Sequence, residues 1–175
     1  AGTSYLWSNG AQTQTITVTT SGSYSVTVTN GSGCSTTSSA QSVTVNPLPT
    51  VAAITGSPDV CVGSTTVLAS STTGGVWSTS DATVADVSAS GVVTGVSTGS
   101  ATITYTVTDG NGCTNSTSAS VTVNATPTAT VTASGATTFC AGGTVDLTAN
   151  AGTSYLWSNG AQTQTITVTT SGSYS

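Results

Sequence analysis

The stretch ATITYTVTDGNGC, residues 101–113, decides the fold. Ala101, Ile103, Tyr105 and Val107 alternate with Thr102, Thr104, Thr106 and Thr108, the period of two expected of a strand with one dry face and one wet face. Asp109-Gly-Asn-Gly then reads as a tight turn in which glycine takes a positive φ. A second alternating run follows, with Val121 and Val123 as its apolar positions. Outward from this hairpin the pattern recurs at Ile16 and Val18, at Tyr24, Val26 and Val28, and at Val43 and Val45. Threonine, about a quarter of the letters, is β-branched like valine but carries a hydroxyl, so it suits the wet face of a sheet without adding charge. No run of ten or more residues has helical periodicity. The expected class is all-β.

Residues 1–25, AGTSYLWSNGAQTQTITVTTSGSYS, return letter for letter at 151–175, a spacing of 150 residues. Within that period two similar units are marked by SVTVNPLPT at 42–50 and SVTVNATPT at 120–128. Boundaries are therefore expected near Asn46 and Asn124. Residues 1–46 read as the C-terminal part of a unit A, 47–124 as a complete unit B, and 125–175 as the N-terminal part of the next unit A. Both partial units are expected to be completed by an adjoining repeat, along one continuous chain or by strands donated from a neighbouring subunit.

The 175 residues include no Lys, Arg or His, five acidic residues that are all Asp, and only 3% charged residues against 35% hydrophobic ones. Without basic residues there is no electrostatic footing for phosphate backbones or anionic headgroups, which excludes nucleic acid as a partner. No apolar run reaches the length of about 18–20 residues that a membrane-spanning helix needs, and no signal peptide is present in these residues. Proton-transfer chemistry would have to use Asp, Tyr or Cys, and the many hydroxyls have no His or Lys to activate them. Asp81 and Asp86 are the nearest carboxylate pair and read as solvated turn residues. The expectation is no enzyme, no cofactor and no metal, since Asp109-Gly-Asn-Gly lacks the further carboxylates of a calcium loop and the cysteines lack zinc spacing.

The cysteines are expected to be staples. Cys61 and Cys113 stand 52 positions apart, and Cys140 and the next copy's Cys34 stand 44 apart, so each unit has one cysteine before its second strand and one after its penultimate strand. Closing a loop of about fifty residues would contribute about 4 kcal/mol in the chain-entropy view and implies an oxidising, extracytoplasmic setting. Four unrelated buried thiols are the alternative.

TSYLWSNGAQTQTITVTTSGSYSVTVTNGSGCS in unit A resembles the Ig-like or PKD-like repeats of large bacterial surface proteins, above all the adhesins and gliding-associated proteins exported by the type IX route. VWSTSDATVADVSASGVVTGVSTGSATITYTV in unit B resembles the group 2 bacterial Ig-like domain, with its W-S…A-x-V core followed by G-x-V-x-G and G-x-A-x-I. The resemblance implies tandem Ig-like β-sandwich modules in a linear array. It places Trp7, Trp77 and Trp157 on the third strand against the disulfide, with Tyr24, Tyr105 and Tyr174 as further structural residues, Tyr24 and Tyr174 where a tyrosine corner falls. Three asparagines, Asn30, Asn115 and Asn124, sit in glycosylation-like sequons.

The functional expectation is an extracellular structural filament or stalk on a bacterial cell surface. Its partners would be adjoining repeats and laterally associated copies of itself, because exposed strand edges have no lysine guard. An adhesin whose repeats bind glycans through exposed aromatics, and a spacer region of a secreted enzyme, are the alternatives.

Overall fold

The structure, a computed structural model, describes residues 3–175; Ala1 and Gly2, the first letters of the repeated stretch, lie outside the described residues. The chain divides into two compact units after Asn124. Among the described residues all regular structure is strand.

The first unit starts with β1 (Ser4–Trp7), β2 (Gly22–Tyr24), β3 (Val26–Thr29), β4 (Ser35–Thr37) and β5 (Gln41–Val43). They form a β1-β3-β4 sheet and a β2-β5 pair, all antiparallel. Register shows the two to be one hairpin interrupted by a bulge. Tyr24 faces Gln41 and Thr27 faces Thr37, so Ser25 and Val26 on one side lie opposite Ser38, Ser39 and Ala40 on the other, an extra residue that bends the ribbon.

The rest of this unit contains β6 (Thr55–Gly56), β7 (Asp59–Cys61), β8 (Thr65–Ala69), β9 (Val76–Thr79), β10 (Ala85–Val87), β11 (Val92–Gly95), β12 (Gly99–Thr108) and β13 (Thr114–Asn124). Two four-stranded sheets result, ordered β10-β11-β8-β6 and β7-β13-β12-β9. Leu68, Ala85 and Val93 from the first meet Val60, Ala101, Ile103, Val121 and Val123 from the second in one buried cluster. This is a β-sandwich. On β12 the alternating residues Ala101, Ile103, Tyr105 and Val107 are the buried ones, as a half-wet strand requires. Gly91, at φ +82°, closes the β10–β11 turn where a Cβ would stand 2.3 Å from the Leu68 carbonyl oxygen.

β7 is the exception to the antiparallel pattern. It pairs with β13 in parallel, Asp59 facing Thr122 and Cys61 facing Asn124. This corrects the expected Cys61–Cys113 disulfide. Cys61 lies beside the last residue of β13, whereas Cys113 immediately precedes its first. Eleven residues of strand separate the two levels by about 35 Å, far beyond the roughly 7 Å over which Cα atoms can be bridged. All four cysteines, Cys34, Cys61, Cys113 and Cys140, are free thiols.

The second unit contains β14 (Val131–Ala133), β15 (Val145–Ala149) and β16 (Thr165–Val168) in one antiparallel sheet, β14-β15-β16. Val145, Trp157, Ile166 and Val168 form its buried cluster.

Candidate functional site

The twenty-five repeated residues occur in two settings. Local geometry is the same in both. Trp7 Nε1 donates to the Thr13 carbonyl at 2.9 Å and Trp157 Nε1 to the Thr163 carbonyl at 2.7 Å. Tyr24 and Tyr174 hydroxyls donate to the carbonyls of Thr20 and Thr170 at 3.0 and 3.1 Å, the bond of a tyrosine corner. Pairing and burial differ. Ser4–Trp7 is strand β1 against β3, while 154–157 is not strand; Thr165–Val168 is strand β16 against β15, while 15–18 is not. Trp157 is 4% exposed with Ile166 and Val168 beside it, yet among the described residues of 3–46 none is buried.

Matching the strands to the complete sandwich explains the difference. β1, β3 and β4 correspond to β9, β12 and β13, one sheet of the sandwich. β14, β15 and β16 correspond to β6, β8 and β11, the other sheet. In the second unit the face of that sheet bearing Val145, Ile166 and Val168 is buried together with Trp157. The second unit also has a groove of about 500 Å³ lined by Pro127, Val131, Ala149, Tyr155 and Trp157 among others.

Trp77 packs on Tyr105 with ring centroids 4.6 Å apart and against the buried cluster, in place of the disulfide expected there. The Tyr105 hydroxyl donates to the Thr72 carbonyl at 2.9 Å and accepts from the Gly75 N–H at 2.8 Å. No side chain fits at Gly75, where a Cβ would lie 2.5 Å from the Tyr105 ring.

The end of the complete sandwich that carries the β12–β13 turn is built to hold the chain entering it. Asp109 accepts from the N–H groups of Asn111 and Cys113, both at 2.9 Å, and its own N–H donates to the Cys113 carbonyl at 2.9 Å. Its carboxylate is used in shaping the turn. In the β3–β4 turn Asn30 does the same for Ser32 and Cys34. So positioned, the Cys113 thiol donates to the Asn46 carbonyl at 3.9 Å. The Asn115 side-chain amide donates to the Pro49 carbonyl at 2.9 Å. Sequence reading treated Asn115 only as a sequon; an asparagine one residue into the strand after a cysteine turn, opposite a proline junction, was the available signal.

The Asp81 carboxyl is held by its own turn. Hydrogen bonds from the Thr83 hydroxyl and backbone N–H hold its pKa below the ordinary value. Asp86 lies on β10 and accepts from the N–H of Val87; the two carboxylates serve separate backbone segments. Among the described residues no three His, Cys, Asp or Glu side chains are grouped as a metal site would need, and no helix is long and apolar enough to cross a membrane.

Residues 39–118 match the family model of the bacterial Ig-like domain (group 2). The motif residues Ala85, Val93, Ala101 and Ile103 of that stretch are in the buried cluster. No curated protein matches the chain. Among solved structures, domains 4–9 of the surface layer protein SbsC align at 20% identity and a TM-score of 0.26, over 94% of this chain and 29% of that one. The chain therefore spans less than a third of that structure's length.

Proposed function

We propose that this chain, which carries a group 2 bacterial Ig-like domain at residues 39–118, is a segment of an extracellular structural filament on a bacterial surface, made of alternating A and B modules. The observation that supports this best is the division of module A. The repeated residues take one sheet's strands at 3–46 and the opposite sheet's at 125–175. Joined through a further repeat, the two would supply the two sheets of the sandwich that module B already has. Junctions with Pro47, Pro49 and Pro127 restrict swing, and the Asn115–Pro49 bond adds to this at one of them.

The role proposed is mechanical, with no catalysis and no cofactor. Lateral association between copies is part of the proposal: no lysine guards the edge strands, and Val76 on edge strand β9 is 70% exposed. Electron microscopy of the native material tests both parts. End-to-end modules give a thin fibre with an axial repeat set by one A–B pair, and lateral association gives paired or bundled fibres. Only single, unassociated rods would refute the lateral part; globular particles would refute the filament.

A further inference from the structure

We infer that Cys113 of module B forms a disulfide with Cys140 of the module A that precedes it in the array. The inference rests on the tandem reading and on one shared landmark, the terminal asparagine of each module.

In module B that landmark is Asn124, and Cys61 is its partner across the parallel β7–β13 pair. The Asn124 carbonyl accepts the N–H of Val62, the residue after the cysteine, at 2.9 Å. Module A ends in the same letters, SVTVN at 42–46 against SVTVN at 120–124. Its first cysteine occupies the same corner. Cys140 accepts from the Gly143 N–H at 2.9 Å as Cys61 accepts from Ser64 at 3.0 Å, and Gly142 and Gly63 have φ of 91° and 79°. In a completed module A, therefore, Cys140 faces the terminal asparagine, the residue represented here by Asn46.

The carbonyl of that asparagine is already engaged by a second cysteine in this structure. Cys113 Sγ is 3.9 Å from the Asn46 carbonyl oxygen. One residue thus has a cysteine beside it within its own module and a cysteine against it from the next. Both cysteines thus converge on one backbone carbonyl, Cys113 through its Sγ at 3.9 Å and Cys140 through the residue that follows it, as Cys61 does through Val62 in module B. The Cys140 that would meet this Cys113 belongs to the preceding copy of the repeat, and at its own position Cys140 is exposed.

Bond formation removes two protons and two electrons from the two thiols. An external disulfide, of a small thiol or of an oxidoreductase, accepts them and leaves as two thiols. The new S–S bond would lock the junction that Asn115 and the prolines already restrict.

The test is non-reducing peptide mapping of the native fibre, cleaved with chymotrypsin because trypsin has no site, alongside its axial repeat by electron microscopy. The expected result is a Cys113–Cys140 linked pair that separates on reduction. A Cys61–Cys113 or Cys34–Cys140 pair, or Cys113 recovered as a free thiol, would overturn the inference. If that happens while the axial repeat still fits end-to-end modules, the cross-link alone is wrong; a repeat that does not fit removes the tandem reading itself.

Discussion

Tyr105 is fixed at both ends, its ring against Trp77 at 4.6 Å and its hydroxyl between the Thr72 carbonyl and the Gly75 N–H. Removing the hydroxyl in Tyr105→Phe leaves a carbonyl and an N–H without that partner, and the expected loss of stability is about 1–3 kcal/mol. Gly75→Ala acts on the same site by sterics, since the new Cβ would overlap the ring and lie 2.8 Å from the Thr106 carbonyl. An expected cost of about 1–3 kcal/mol is read from urea unfolding followed by tryptophan fluorescence. Asp81 supplies the acid dependence. Its pKa is lowered below 3.8 in the fold, first by the Thr83 hydroxyl and then by the Thr83 N–H. The stabilisation is therefore full above the unfolded value and is lost as pH falls through the lower, folded one. The urea midpoint should hold steady from pH 7 to about 5 and fall below about 4, and Asp81→Asn should flatten part of that fall. An unchanged acid profile in the variant would show that Asp81 contributes nothing to it.

At the level of elements, the repeated stretch separates what letters determine from what partners determine. Its turns, indole bonds and tyrosine corners form in both copies; which four residues become a strand depends on which sheet is present to pair with. A chain running from Ala125 to the next copy of Asn46 should draw 154–157 into a strand while keeping β16. Amide exchange at Tyr155 and Trp157 should then slow, and exchange as fast as in the shorter chain would contradict this. The period-two alternation made β12 and β13 legible, and the glycine turns made their connection legible. Sheet order was not. Alternation is the same for a parallel as for an antiparallel neighbour, so the β7–β13 pairing, and with it the level of Cys61, was invisible in the letters. For the same reason one cysteine pair in matching places of each unit suggested pairs within modules, although Cys61 and Cys113 lie at opposite ends of β13. The bulge near Ser25 was also hidden, because Ser38, Ser39 and Ala40 carry no apolar mark by which to count register.

At the scale of the whole chain, the absence of Lys and Arg has a direct consequence: trypsin finds no peptide bond to cleave in these 175 residues, so it should leave them intact even after denaturation and reduction, whereas chymotrypsin should then digest them. Cleavage by pure trypsin would mean that other sequence is interposed between repeats. In the proposed filament, A and B modules stand end to end. Strands of about eight residues rising about 3.3 Å each, with their end loops, give modules on the order of 35–40 Å and a pair of about 70–80 Å. The axial repeat of the native fibre by cryo-electron microscopy is the most direct measurement. A repeat of about 70–80 Å for each 150-residue period is expected from the strand rise, and one far below about 60 Å would contradict end-to-end stacking.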